Sequence, residues 1–290
     1  MIPFDLQEPK TLRDAVALLD TDDPSIRPIA GGTALMLMMK AGLFQPRALV
    51  SLRAIEQRYS RVEGAADGAI HIGAMTPLSA LERSSVVRQG VPVIAQTLRT
   101  LSNVRVRNVA TVGGHLAHAD PHMDLPPVLI ALGAKLIVVG PKGERSLPVE
   151  DLHVGYLETS LQRGELIAEL IVPSGSRRRA AYLKCTTRSA DDWPALGVAA
   201  ALEVDGDAIR AIDLVVGAVT DKPTRLRAAE KVLRGARADE KSLRAAGEAA
   251  AAEVDAIDDE RGSAAYKKQL IRVYVARAVQ RALAQAEVRP

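Results

Sequence analysis

"TVGGHLAHADPHMDLP", residues 111–126, sets two adjacent glycines ahead of three histidines and two aspartates. Three chemistries compete for it. His115, His118, His122, Asp120 and Asp124 are metal-ligand types, but Pro121 interrupts the spacing that would put His118 and His122 on one helical face. A polar loop capping the next helix is the plainer reading. That helix is expected to start near Asp124 with Pro126 or Pro127 in its first turn. The third reading is an anion cradle, in which glycines lacking a Cβ let backbone amides approach a phosphate.

A second glycine pair lies upstream. "IAGGTALMLMMKAG", residues 29–42, runs from a short apolar strand through Gly31–Gly32 into an apolar helix. Each pair alone predicts only a turn. Together, each behind an apolar segment, they could grip a pyrophosphate from two sides. Neither is a Rossmann G-x-G-x-x-G or a Walker P-loop.

The rest of the chain narrows the class. It has 290 residues, 48% hydrophobic and 25% charged, as in globular domains, and its length suggests two or three of them. A single cysteine, Cys185, excludes an internal disulfide and also an iron–sulfur cluster, which needs about four cysteines. A net charge of +3, scattered basic residues and 3% aromatics argue against nucleic acid. No apolar run reaches the ~18 residues of a membrane span, and the N-terminus has no signal-peptide order, so a cytoplasmic location is expected.

Residues 11–20 predict a helix capped by Thr11, with Asp14 at the capping-box position and Leu12, Ala15, Val16 and Leu19 on one face. Strands are expected at 48–52, in two segments across 59–73, and at 165–173. A hairpin is expected to turn at 141–143. Helices are expected at 76–84, capped by Thr76, and at 91–101. After a composition break at 174–179, "SGSRRR", come antiparallel strands turning at Asp205–Asp207, then Ala-rich helices. The fold class is α+β, in three pieces: 1–55, 56–173 and 177–290.

The two glycine motifs, "IAGGTALMLMMKAG" and "VRNVATVGGHLAHADPHMDLPPVLIALGA", resemble the FAD-binding medium subunit of the molybdenum hydroxylases, a family that includes carbon monoxide and xanthine dehydrogenases. The likeness extends through "PFDLQEPKTLRDAVALL", "IHIGAMTPLSALERS", "GELIAELIVP" and "YLKCTTRSADDWPALGVAAAL". It implies a vanillyl-alcohol-oxidase-like (PCMH-type) FAD-binding fold of two α/β subdomains, followed by a C-terminal antiparallel sheet with helices. FAD would lie between the first two pieces. The resemblance places Ala30, Gly31, Gly32, Thr33, Ala34 and Leu35, then Thr111, Gly113, Gly114 and His115, at the cofactor. It puts Asp124 on a sugar hydroxyl, Leu166 and Ile167 near a ring edge, and Lys184 close to the isoalloxazine carbonyls. No residue is assigned to catalysis or to a metal, and His118 and His122 are left as structural groups.

Two departures stand out. Position 34 is often polar in the family and is Ala34 here, which removes one side-chain hydrogen bond worth roughly 1 kcal/mol. Trp193 stands where a smaller aromatic is common, and it reads equally as a stack on the flavin or as a core tryptophan. The implied role is electron transfer. A small partner subunit would hold 2Fe-2S clusters and a large one the molybdopterin, in a dimer of heterotrimers. The FAD would pass electrons to NAD, a quinone or oxygen. A stand-alone FAD oxidase and an assembly subunit without flavin are the other readings.

Overall fold

The first strands, Asp5–Gln7, Ile26–Ile29 and Ala48–Ser51, form a parallel sheet with Ala48–Ser51 in the centre. Parallel neighbours need crossovers, and the two helices Leu12–Leu19 and Thr33–Lys40 supply them. In the first, the Thr11 hydroxyl accepts from the Asp14 amide at 3.0 Å, and Leu12, Ala15, Val16 and Leu19 are buried, as the sequence predicts. The second is apolar yet buries only Met39, and Leu37 is 67% exposed. This computed structural model describes residues 2–174 and 178–285. The expected break at 174–179 runs across residues 175–177, which lie outside the described residues, as do Met1 and residues 286–290.

A five-stranded antiparallel sheet follows, ordered Val62–Gly64, Ile70–Gly73, Leu166–Val172, Lys135–Gly140 and Gly143–Pro148. Short helices between residues 78 and 131 pack against it. The helix predicted from Thr76 starts one step later, at Leu78, because Pro77 keeps an extended ψ of 142° and takes the cap position. Alternation along the central strand joins two cores. Ile167, Leu170 and Val172 enter the core under the helices, while Leu166 and Ala168 pack with Leu12, Ala15 and Val16 of the first unit. A bulge between Ile167 and Glu169 breaks the register there.

The last sheet runs Arg179–Cys185, Leu196–Asp205, Ala208–Gly217 and Thr224–Arg225, antiparallel and in chain order. Gly206 turns the long hairpin at a φ of 58°. Helices Arg227–Leu233, Glu240–Glu253 and Ala264–Leu283 close one face through Leu243, Ile271, Val275 and Val279. The opposite face, with Ala199, Ala201 and Val215, belongs to the same core as the helix Leu125–Ala131. The α+β architecture of the sequence reading is therefore present, with the C-terminal sheet pressed between its own helices and the middle unit.

Candidate FAD-binding cleft

Both glycine motifs open onto one cleft of about 810 Å³. That lies inside the ~300–1,000 Å³ usual for small-molecule sites. Ala30, Gly31, Gly32, Thr33, Ala34 and Leu35 line it from one side, and Thr111, Gly113, Gly114 and His115 from another. Asp124, Leu166, Ile167 and Trp193 complete the set that the sequence picked out, and Lys184 alone is not in the lining.

The first motif is built to leave amides open. Gly32 caps the helix Thr33–Lys40 at a φ of +75°, a left-handed conformation that L side chains resist. It brings no side chain to cap the helix. The first bond back along the helix runs from the Met36 amide to the Gly32 carbonyl at 2.9 Å. The amides of Thr33, Ala34 and Leu35 therefore have no intrahelical acceptor, and the helix dipole adds positive potential at the same end. Gly31 serves proximity. A Cβ there would sit 2.2 Å from the Val109 carbonyl oxygen, so the two motif-bearing segments touch at this point.

The second motif differs from the expected turn. Gly113 and Gly114 lie inside the first turn of the helix Val112–His118, capped by Thr111. The Gly114 amide donates to the Thr111 hydroxyl at 3.2 Å. The amides of Val112 and Gly113 donate to the carbonyls of Thr76 (3.0 Å) and Ala74 (2.7 Å), and the His115 amide to Thr111 at 2.8 Å. The symmetric clamp of open amides is thus corrected, because these N–H groups are already spent within the fold. What this side offers the cleft is His115. Its Nε2 is buried with no partner, and burial drives its pKa down to about 3, so the ring is neutral. Such an orphaned atom fits a bound polar group.

Asp124 stands at the cap of the helix Leu125–Ala131 but makes no capping bond. Its carboxylate accepts from the Tyr182 hydroxyl at 2.7 Å and from Lys184 Nζ at 3.1 Å. Burial pushes its pKa up, and the ammonium and the phenol pull against that. The Tyr182 hydroxyl is itself pushed well up by burial and by Asp124. Lys184 also donates to the carbonyls of Thr100 (2.7 Å) and Asp192 (3.0 Å). Its side chain is 7% exposed. It is neither a surface lysine nor a cleft residue. It sits behind Asp124 and binds three segments together.

Tyr182 was missed by the sequence reading. The signal was its place two residues before Lys184 on one strand, which puts both on the same face. Gly197 makes room for it, since a Cβ there would lie 2.2 Å from the Tyr182 hydroxyl. Trp193 is 40% exposed and lines the cleft, which rules out the core-tryptophan reading. His118 and His122 also reach the cleft. Among the described residues no three His, Cys, Asp or Glu side chains are grouped as metal ligands.

Comparison with known proteins settles the family. Residues 2–175 match the FAD binding domain in molybdopterin dehydrogenase, and residues 181–282 match the CO dehydrogenase flavoprotein C-terminal domain. The chain belongs to the flavoprotein subunits of the molybdopterin dehydrogenases. It is 32% identical to the carbon monoxide dehydrogenase medium chain of Afipia carboxidovorans, covering 99% of this chain and 100% of that one. It is 30% identical to the glyceraldehyde dehydrogenase medium chain of Sulfolobus acidocaldarius, over 95% of this chain and 96% of the relative. A solved carbon monoxide dehydrogenase from Hydrogenophaga pseudoflava, which lacks the Mo-pyranopterin moiety of its molybdenum cofactor, superposes with a TM-score of 0.93 at 32% identity, covering 98% and 99% of the two chains. The protein is thus an FAD-binding oxidoreductase subunit, and its PCMH-type fold is that of the family. The cleft suits the cofactor on its own evidence, through the open amides after Gly32 and the unpartnered His115 Nε2.

Proposed function

We propose that this chain is the electron-transferring flavoprotein of a three-subunit molybdenum-containing dehydrogenase. The observation that carries this reading is the convergence of both glycine motifs and His115 on one cleft within a family of FAD subunits. The open amides of Thr33, Ala34 and Leu35 hold the pyrophosphate of FAD, at a helix end where negative charge is favoured. Ala34 can serve this by its backbone alone. His115 Nε2 meets a polar group of the same ligand. Asp124, anchored by Tyr182 and Lys184, keeps spare lone pairs on its carboxylate to accept from a sugar hydroxyl. Leu166 and Ile167 give an apolar wall.

Bound FAD would supply the conversion between one-electron and two-electron transfer. The electrons would come from 2Fe-2S clusters in a small partner, with molybdopterin in a large one. NAD, a quinone or oxygen would receive them. The single cysteine supports this division of labour, since the chain has no ligands for clusters of its own. The relatives named as medium chains support a multi-subunit assembly.

Heating the purified chain and separating the released flavin by chromatography tests the cofactor. FAD is expected, and recovery of FMN alone would contradict the pyrophosphate site. Co-expression with the neighbouring reading frames tests the assembly. A cysteine-rich small chain and a molybdopterin chain should co-purify, whereas full substrate turnover by this chain alone would overturn it.

A further inference from the structure

Arg107 is carried by the short helix Val104–Val109, and its side chain is 11% exposed. Its Nε donates to Glu82 Oε2 at 3.0 Å. Its Nη1 donates to two successive backbone carbonyls, Leu101 at 3.2 Å and Ser102 at 2.6 Å. The carbonyl before them, that of Thr100, accepts from Lys184 Nζ at 2.7 Å. Three carbonyls in a row are thus each held by a largely buried cation. Leu101 and Ser102 line the cleft, as does Val106 of the same helix.

The grip falls on an unfavourable stretch of backbone. Ser102 has a φ of +54°, a left-handed conformation that a residue with a Cβ resists and glycine adopts freely. The amides of Thr100 and Leu101 bond back to the carbonyls of Thr97 and Leu98, at 3.2 Å each. The Ser102 amide has no acceptor among the described residues. A trans peptide sets its N–H opposite its C=O, and the chain has no cis peptide among the described residues. With the Leu101 carbonyl turned onto Arg107, the Ser102 amide is therefore turned away from the guanidinium. The following helix makes no use of it, since its cap bond runs from the Val106 amide to Asn103 Oδ1 at 3.1 Å.

We propose that Arg107 is a positioning residue of the cleft, which holds Ser102 in its left-handed turn so that the Ser102 amide is free to donate to an acceptor atom of the bound flavin nucleotide. This rests on the FAD reading of the cleft. Arg107 itself touches no ligand. By taking the carbonyls on both sides of Ser102, it fixes the peptide plane whose other edge the ligand meets. Glu82 orients the guanidinium for this, and Lys184 holds the same turn one residue earlier, from its place behind Asp124.

The first test uses the wild-type, full-length chain. Hydrogen exchange at the Ser102 amide should be fast without flavin, and adding FAD should slow it about tenfold. The second test uses variants. Arg107→Met should raise Kd for FAD about tenfold, because the left-handed serine relaxes. Adding Ser102→Gly to Arg107→Met should bring Kd back to within about threefold of wild type, since glycine keeps this φ unaided. The visible circular dichroism of the bound flavin should shift in the single variant and return in the double one. A role in folding alone would lower the melting point and leave that spectrum unmoved. An unslowed Ser102 amide, an unchanged Kd in Arg107→Met, or a double variant as weak as the single one would overturn the proposal. If Arg107→Met does not fold, the exchange result decides alone. A wild-type chain that takes up no flavin removes the FAD reading and this proposal with it, whereas FAD uptake without protection of Ser102 removes this proposal only.

Discussion

Gly31–Gly32 and Gly113–Gly114 each follow an apolar segment and each lie at the start of a helix. One leaves its following amides open to the cleft, and the other has its amides paired to Ala74, Thr76 and Thr111. The difference comes from the cap. Gly32 occupies the cap in a left-handed conformation with no side chain to satisfy the helix end. The second pair sits one turn later, behind Thr111, whose hydroxyl takes the Gly114 amide. On the proposed reading, the first pair is the anion site. The second provides close packing and aims a neutral histidine at the same space. A repeated dipeptide does not imply a repeated function, because the carbonyls within reach decide which amides stay free.

The largest expected effect concerns the acidic anchor beside the second motif. Lys184→Met would leave the buried Asp124 carboxylate with only Tyr182 for support, at a cost of about 3–5 kcal/mol. Chemical denaturation should show this loss, and Asp124→Asn in the same chain should recover part of it. An unchanged midpoint would show that the Lys184 ammonium does not support the buried Asp124 carboxylate.

Gly31→Ala comes next. Its Cβ would meet the Val109 carbonyl at 2.2 Å and the Ala110 Cα at 2.8 Å, both backbone. Neither can give way as a side chain does, so the two motifs are forced apart, for about 3 kcal/mol. A lower melting point of the flavin-free chain is the measurement. Full stability with flavin loss alone would show that Gly31 serves the ligand and not the packing.

Of the two motifs, acid should act through the second, since residues 30–35 carry no ionisable side chain. Burial lowers the His115 pKa to about 3, against an ordinary 6.5. The unfolded chain therefore takes up a proton that the folded chain refuses. Stability is complete above about pH 6.5 and is lost as pH falls towards 3. Around pH 4.5 the His115 share is about 2–3 kcal/mol. Burial also lowers the pKa values of His118 and His153, which add to the same slope. Urea midpoints at neutral and acid pH should converge in His115→Gln, and an unaltered slope would mean that His115 is not shielded.

Much of this was legible in the sequence because it is local. The Thr11 cap, the Asp205–Asp207 hairpin and the Asp124 helix start need only neighbours within a few residues. The family resemblance carried by the two glycine motifs put them and His115 at the cofactor, and they converge on one cleft. What stayed hidden depends on distant partners. The Gly113 amide is occupied by the Ala74 carbonyl, which no spacing rule connects to it. Lys184 is drawn inward by Thr100, Asp124 and Asp192, three segments far apart in the chain. His122 meets Asp259 across 137 positions. The resemblance set Lys184 beside the isoalloxazine carbonyls, and only these buried acceptors show it standing behind Asp124.

The inequality of the two glycine pairs is tested most directly by titrating FAD into flavin-free Gly32→Ala and Gly114→Ala side by side. In Gly32→Ala the left-handed backbone costs about 1–2 kcal/mol for a residue with a Cβ, and the open amides are lost as the turn relaxes. Gly114 has no such φ, and its added Cβ would meet only the Thr111 hydroxyl at 3.0 Å and Ala30 at 3.5 Å. Kd for FAD should rise about tenfold or more in Gly32→Ala, a loss of at least ~1.4 kcal/mol, and should stay within about threefold of wild type in Gly114→Ala. Equal losses at the two sites, or the larger loss at Gly114, would contradict the assignment of the pyrophosphate to the first motif.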